Sequence, residues 1–481
     1  MRKSFSSILR LLVCIVGGII LIYFVKIGLL NSNYWYDETG QYFISCGLNH
    51  YSPPLSPGHG IMEVINNNRY YNLDPGGFSV ILYYWIKIKN APIFLRLLPL
   101  VFYFLALFCA YKLCRKEGFN KINSFMVVVT LSMIPIVYNN ATLLRAYSME
   151  MLGVFGSLWL WSINKNEITL KRIFLLSLFL SVFMTSRYSF VIYTAGFSLN
   201  VLYRIITDNS CSASRLKYIA LYIIPLLLMM GIIYFGEMIF QNKSAAPLDY
   251  LPYINNNWNL LLTSQLSYRF YFVILIFGVL HKNRHKINES LRVCVIVSVL
   301  YFSLSIMGMF PWDDKRALPM TIVQIYCIIS LFIALTSRSI IGEDILSVLF
   351  LLLCVNFKFT TYTLSADRHF LYTSDIRQCI EQIDTNKSIF ISDHITPDIK
   401  FLFEVDRYKQ EQDRYNYPRR FMLGSYMSHN YTGNKIKKGI LSADDVKCDY
   451  YLIDYSAQQN VDMSNYSKVE GYNILFVRNS K

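Results

Sequence analysis

The most chemically suggestive run in the chain is Tyr34-Trp35-Tyr36-Asp37-Glu38, two adjacent carboxylates beside three aromatics. In a partly desolvated cleft one such carboxylate can act as general base toward an acceptor hydroxyl or amine, while its neighbour binds substrate or a cation. The competing reading is an aromatic belt carrying a solvated acidic pair. A second cluster is cationic. Arg145-Ala146-Tyr147 and Arg187-Tyr188 fall between apolar runs, and Pro311-Trp312-Asp313-Asp314-Lys315-Arg316-Ala317-Leu318-Pro319 leads into another. Cations at apolar helix ends are costly beside lipid unless water, phosphate or carboxylate answers them. Each alone would be read as a snorkelling anchor, whereas several together, facing two acidic pairs, suit an anionic lipid headgroup. Asn72-Leu73-Asp74-Pro75-Gly76-Gly77 is a further polar run, which Asp, Pro and Gly also favour as a plain turn and helix start.

The elements that must position these residues are membrane helices. Of 481 residues 54% are hydrophobic and only 16% charged, far from the balance of a soluble domain. The net charge of +15 comes from short Lys/Arg clusters between apolar runs, a pattern that fits membrane orientation and not nucleic-acid binding. The run Ile8–Leu30 is long enough to span, lacks a small-x-small cleavage site and reads as an uncleaved first helix. Further spans are expected to begin near Leu95, Ile122, Tyr147, Ile173, Tyr188, Tyr218, Phe270, Leu291, Leu318 and Ile345, about eleven in all.

Basic flanks set the orientation. Arg2, Lys3 and Arg10, then Lys112 to Lys121, Lys165 to Arg172, Arg204 to Lys217 and Lys282 to Arg292 share one side if the spans alternate, and that side is cytoplasmic by the positive-inside rule. The N-terminus is then cytoplasmic. Segment 31–94, the loop 241–269, the loop 311–317 and everything after residue 357 lie outside. The division expected is a transmembrane region 1–357, with outer loop 31–94, and a soluble extracytoplasmic α/β domain 358–481. In that tail Thr373–Ile383 has helical spacing, and Ser388–Ser392, Tyr450–Asp454 and Asn473–Arg478 read as short strands. Gly77–Lys87 is apolar but too short to span and reads as an interfacial helix. The ten cysteines show no metal-ligand or CxxC spacing; Cys379 and Cys448 either pair or stay free thiols. No internal repeat is evident.

This arrangement resembles the GT-C membrane glycosyltransferases, in particular the bacterial dolichyl-phosphate-mannose-protein mannosyltransferase-like and lipid A aminoarabinose transferase-like branch. The resemblance rests on Asp37-Glu38 after the first span, Leu73-Asp74-Pro75-Gly76-Gly77 before the interfacial helix, Arg96-Leu97-Leu98-Pro99, Arg145-Ala146-Tyr147, and Lys315-Arg316-Ala317-Leu318-Pro319. It implies transfer of a sugar from a polyprenyl-phosphate donor to a lipid, glycan or protein acceptor at the outer face of the cytoplasmic membrane. By the same resemblance Asp37 is the general base and Glu38 its partner. Arg145, Tyr147, Arg187, Lys315, Arg316 and Asp74 bind substrate and lipid phosphate. Some branches of the fold use a divalent cation and others do not; Asp37, Glu38, Asp313 and Asp314 offer hard oxygen ligands, but no complete set is readable. The alternatives are a lipid-linked polysaccharide polymerase or O-antigen ligase, which carries its large loop between late spans, and a transporter or flippase, which places charges near span midpoints.

Overall fold

The computed structural model describes residues 2–30, 33–47, 60–72, 74–163, 168–207, 215–244, 288–307, 309–310, 316–337, 340–356, 373–382, 389–391, 395, 398, 401–402, 421–423, 449–452, 464, 466–470 and 475–479. The chain divides into two compact units. The first comprises Met1–Gly28, Pro99–Phe235 and Pro247–Thr361; the second comprises Leu29–Leu98, Gly236–Ala246 and Tyr362–Lys481.

The helices are, in chain order, α1 (Arg2–Leu30), α2 (Tyr36–Ser45), α3 (Ile61–Tyr71), α4 (Gly77–Ile88), α5 (Pro92–Lys116), α6 (Lys121–Ser132), α7 (Pro135–Thr142), α8 (Tyr147–Ile163), α9 (Leu170–Met184), α10 (Tyr188–Thr207) and α11 (Arg215–Ile233). A π-helical turn, Tyr234–Met238, joins α11 to α12 (Ile239–Ser244). After these come α13 (Asn288–Ile306), α14 (Leu318–Thr336), α15 (Ile340–Asn356) and α16 (Thr373–Glu381). A helix begins within six residues of every expected start among the described residues; the one near Phe270 lies outside them.

Fewer of these helices than expected can span by themselves. Six described helices are long and apolar enough to cross a membrane: Ser6–Leu29, Pro92–Lys116, Tyr188–Thr207, Arg215–Gln241, Glu289–Ile306 and Leu318–Thr336. A seventh span arises if α6 and α7 count together, although they bend by 71°. The bend falls at Met133-Ile134, where Pro135 lacks the N–H to continue the helix and opens α7 at its first position. By contrast α8, α9 and α15 have 17, 15 and 17 residues, about 23–26 Å of helix at 1.5 Å per residue, short of a roughly 30 Å hydrocarbon core.

The first unit is organised around α14, whose apolar window is 78% buried, whereas the windows of α1 and α11 are 28% and 17% buried. Leu11, Ile15, Ile19 and Ile22 on α1 are exposed, as an apolar solvent permits. Close approach is marked at Gly196 on α10: a Cβ there would stand 2.9 Å from Val297 Cγ2 and 3.2 Å from Val297 Cα on α13, so a side chain would force the two helices to shift by a few tenths of an ångström.

In the second unit α2, α3 and α4 pack on one another. Gly47, with φ 72°, turns the chain at the end of α2, a conformation that side-chain-bearing residues avoid. The tail holds a five-stranded sheet with order β2-β1-β3-β5-β4, made of β1 (Ile389–Ile391), β2 (Phe421–Leu423), β3 (Tyr450–Leu452), β4 (Tyr466–Lys468) and β5 (Leu475–Arg478). β1 pairs in parallel with β2 and β3, with Ile389 opposite Phe421 and Tyr450; β5 pairs antiparallel with β3 and β4. α16 buries Ile376, Cys379 and Ile380 on one face. Cys379 is a free thiol, pushed up to about 12 by burial and by the charge of Asp375; Cys448 lies outside the described residues.

Candidate functional site

The acidic pair occupies the first turn of α2, where unpaired backbone N–H groups favour negative charge. Trp35 is the extended N-cap residue, and its N–H donates to Glu38 Oε2 at 3.3 Å, the return half of a capping box. Arg96, in the second turn of α5, then claims Glu38 from the other side. Its Nη1 donates to Glu38 Oε1, and its Nη2 donates to Glu38 Oε2 at 3.3 Å and to the Asn33 carbonyl. The guanidinium lies 4.0 Å from the centroid of the Tyr34 ring, whose hydroxyl donates to the Pro92 carbonyl at 2.8 Å. Both side chains of the ion pair are 1% exposed. Glu38 is therefore a buried anchor joining the starts of α2 and α5, and neighbouring Asp37 is the half-buried carboxylate of the turn.

A third carboxyl reaches this turn from the tail. Thr39 Oγ1 donates to Asp398 Oδ1 at 2.8 Å, and both residues are fully buried. Phe401, three residues on, packs with its ring centroid 4.4 Å from Tyr34 and 5.3 Å from Tyr42. Burial, the largest cause, holds the Asp398 carboxyl well above the ordinary carboxylate range. The Thr39 hydrogen bond pulls it down, and the negative charges of Glu38 and Asp37 add to the rise. Sequence reasoning missed Asp398. Its signal was Ile395-x-x-Asp398-x-x-Phe401-Leu402, a carboxyl set inside an apolar stripe at helical spacing.

Asp74 is nearly buried in the turn before α4, and its backbone carbonyl accepts from Asn68 Nδ2 at 2.9 Å and from Gln241 Nε2 at 3.2 Å. The same Asn68 Nδ2 donates to Glu237 Oε2 at 3.2 Å, on the π turn, while Asn68 Oδ1 accepts from Ser79 Oγ at 2.8 Å and Asn72 Nδ2 at 2.9 Å. Gln41 of α2 closes the network by donating to Ser79 Oγ at 2.7 Å. Amide groups thus cross-link α2, α3, α4, the π turn and α12, each hydrogen bond answering a group that burial would otherwise leave costly. π turns insert one extra residue into a helix and recur at functional positions.

In the first unit, Arg187 Nη1 donates to Glu150 Oε2 at 3.2 Å, and the guanidinium sits 4.4 Å from the centroid of the Tyr147 ring. Ser189 Oγ donates to Glu150 Oε1, and Tyr301 OH donates to the Ser189 carbonyl. Glu150 and Arg187 form a buried, formally neutral pair that sequence reasoning did not foresee, although Glu150 is the single carboxylate of α8. Arg145 is half-buried in the segment between α7 and α8, and its N–H donates to the Leu143 carbonyl at 2.7 Å. Arg316 is exposed in the turn before α14, while Asp313, Asp314 and Lys315 lie outside the described residues. Asp37, Glu38 and Asp74 thus belong to one unit, and Arg145, Tyr147, Arg187 and Arg316 to the other. Among the described residues no group of three or more His, Cys, Asp or Glu side chains is placed to hold a metal ion.

No protein-family model matches this chain, and no curated protein does. Twelve chains of solved structure match. One is the Archaeoglobus fulgidus oligosaccharyltransferase crystallised with Zn and sulfate, 11% identical over 80% of this chain with a TM-score of 0.46. The present chain spans 61% of the length of that protein.

Proposed function

We propose that this protein is a membrane glycosyltransferase that moves a sugar from a polyprenyl-phosphate carrier to a lipid, glycan or protein acceptor at the outer face of the cytoplasmic membrane. The observation that carries the reading is the division of labour in the first turn of α2. Glu38 is engaged by Arg96, Asp398 is bonded to Thr39, and Asp37 is the carboxylate that keeps part of its surface open. In this reading Asp37 accepts the proton of the acceptor hydroxyl as its oxygen attacks the anomeric carbon. The bond from that carbon to the phosphate oxygen breaks in the same step, so configuration inverts and no enzyme nucleophile is needed. Arg145, Lys315 and Arg316 stabilise the charge that grows on the departing polyprenyl phosphate. Arg187, neutralised by Glu150, supports Tyr147 beside Arg145, and Asp74 fixes the turn that leads into α4. The basic flanks put the N-terminus in the cytoplasm and the tail outside, with a catalytic membrane region 1–357 and an extracytoplasmic domain 358–481.

Single-turnover transfer from a polyprenyl-phosphate sugar by the purified full chain tests this. Asp37→Asn keeps the shape of the side chain and removes the proton acceptor, so turnover is expected to fall by on the order of a hundredfold while donor binding survives. Parent-rate transfer by Asp37→Asn would remove the assigned base. Mass spectrometry of lipid extracts from cells with and without the gene identifies donor and acceptor; identical sugar profiles would count against any transferase.

A further inference from the structure

Thr39 bonds differently from three other helical threonines of this protein. Thr207, Thr321 and Thr336 each donate to the carbonyl four residues back, the usual resting place of such a hydroxyl inside a helix. For Thr39 the carbonyl four residues back, that of Trp35, already accepts the N–H groups of Glu38 and Thr39, and its Oγ1 turns to Asp398, 359 positions later. A buried hydroxyl must find an acceptor, and a buried carboxyl must find a donor, so each residue answers the other's desolvation cost. The contact is reinforced by Phe401, which covers Tyr34 and Tyr42 at the two ends of the same short segment. α2 has only ten residues, too few for a helix to persist without tertiary support. Its first turn is gripped on one side by Arg96 through Glu38 and on the other by Asp398 through Thr39. Asp37 is the residue before both gripped positions.

We propose that Asp398 is a positioning residue for Asp37, acting through Thr39, so that the tail is a working part of the same site and not an appended module. This rests on the glycosyl-transfer reading above. Asp398 touches no reacting atom. It holds the orientation of the turn that carries the base, and a base displaced by about 1 Å loses up to about a hundredfold in rate.

The test compares Asp398→Ala, Asp398→Asn, Thr39→Val and the Asp398→Ala/Thr39→Val double variant in the purified full chain. Two readouts are taken: transfer kinetics from a polyprenyl-phosphate sugar, and amide hydrogen exchange over α2. Expected are a roughly tenfold or greater fall in kcat for Asp398→Ala, with donor KM within about twofold of the parent, and a double variant no slower than the worse single one. Asp398→Asn keeps an oxygen for Thr39 and is expected to recover most of the rate. Exchange of the α2 amides is expected to quicken by roughly tenfold in Asp398→Ala and to return toward the parent in Asp398→Asn. Parent-like kcat and exchange in Asp398→Ala would overturn the proposal, as would additive losses in the double variant. If the parent protein itself transfers no sugar, the glycosyl-transfer reading fails, and with it the positioning of a catalytic base. The exchange data then still decide whether Asp398 holds the turn.

Discussion

Replacing Arg96 with Gln isolates the contribution of the buried pair that anchors the acidic turn. The substitution leaves the Glu38 carboxylate 1% exposed with its cation gone, and Gln at this position restores at most one neutral hydrogen bond. Breaking a buried pair from one side costs about 3–5 kcal/mol, because the remaining charge is shielded from water and has lost its counter-ion. The second unit has about 200 residues, for which 1 kcal/mol corresponds to about 2–4 °C, so its melting temperature should drop by about 6–20 °C. Cys379 supplies the reporter: it is free, 2% exposed and belongs to this unit. The full chain in detergent is heated in the presence of a maleimide, and labelling of the Cys379 peptide is followed by mass spectrometry. The double variant Glu38→Gln/Arg96→Met removes both charges together and should recover most of the loss, since a neutral replacement of similar volume carries no stranded ion. A melting temperature for Arg96→Gln within about 2 °C of the parent would refute the argument. So would a double variant no more stable than the single one.

Other outcomes follow from the same physics. Gly196→Ala sets a methyl 3.2 Å from the Val297 Cα, where no side-chain rotation relieves it, and should destabilise the first unit by about 1–3 kcal/mol in a detergent melt. The raised carboxyl of Asp398 means that the fold favours its neutral form. Its contribution is complete below the ordinary Asp value of about 3.9 and is lost as pH rises through the raised value. Tryptophan-fluorescence melts should therefore show stability falling with pH over that range, more steeply in the parent than in Asp398→Asn; equal slopes would contradict this. Reporters fused after Lys286 and after Lys481 should report opposite compartments, and a shared compartment would reject the proposed orientation.

Local rules made the helices legible. Tyr147, Tyr188 and Leu318 open helices at the expected residue, and Gly77–Ile88 is the short apolar helix expected before the second long one, because apolar runs, prolines and capping residues act within a few positions of themselves. Strands were partly legible. β1, β3 and β5 fall inside expected runs, whereas β2 is a lone Phe-Met-Leu triplet between Arg420 and Gly424 and β4, Tyr-Ser-Lys, has one apolar residue, so neither stands out from its surroundings. The number of spans was less well determined, since composition marks an apolar run without telling where a kink such as the 71° bend ends a helix early. The sequence by itself marked the acidic turn and, separately, the basic helix ends. Only the tertiary structure decided their states. Arg96 takes Glu38 from 58 positions away, Asp398 takes Thr39 from 359 positions away, and Glu150 neutralises Arg187 from 37 positions away. Which carboxylate is anchored and which keeps an open surface depends on the faces that packing brings together. No periodicity along the chain encodes that choice, because a charge is assigned its partner by distance in space and not by spacing in sequence.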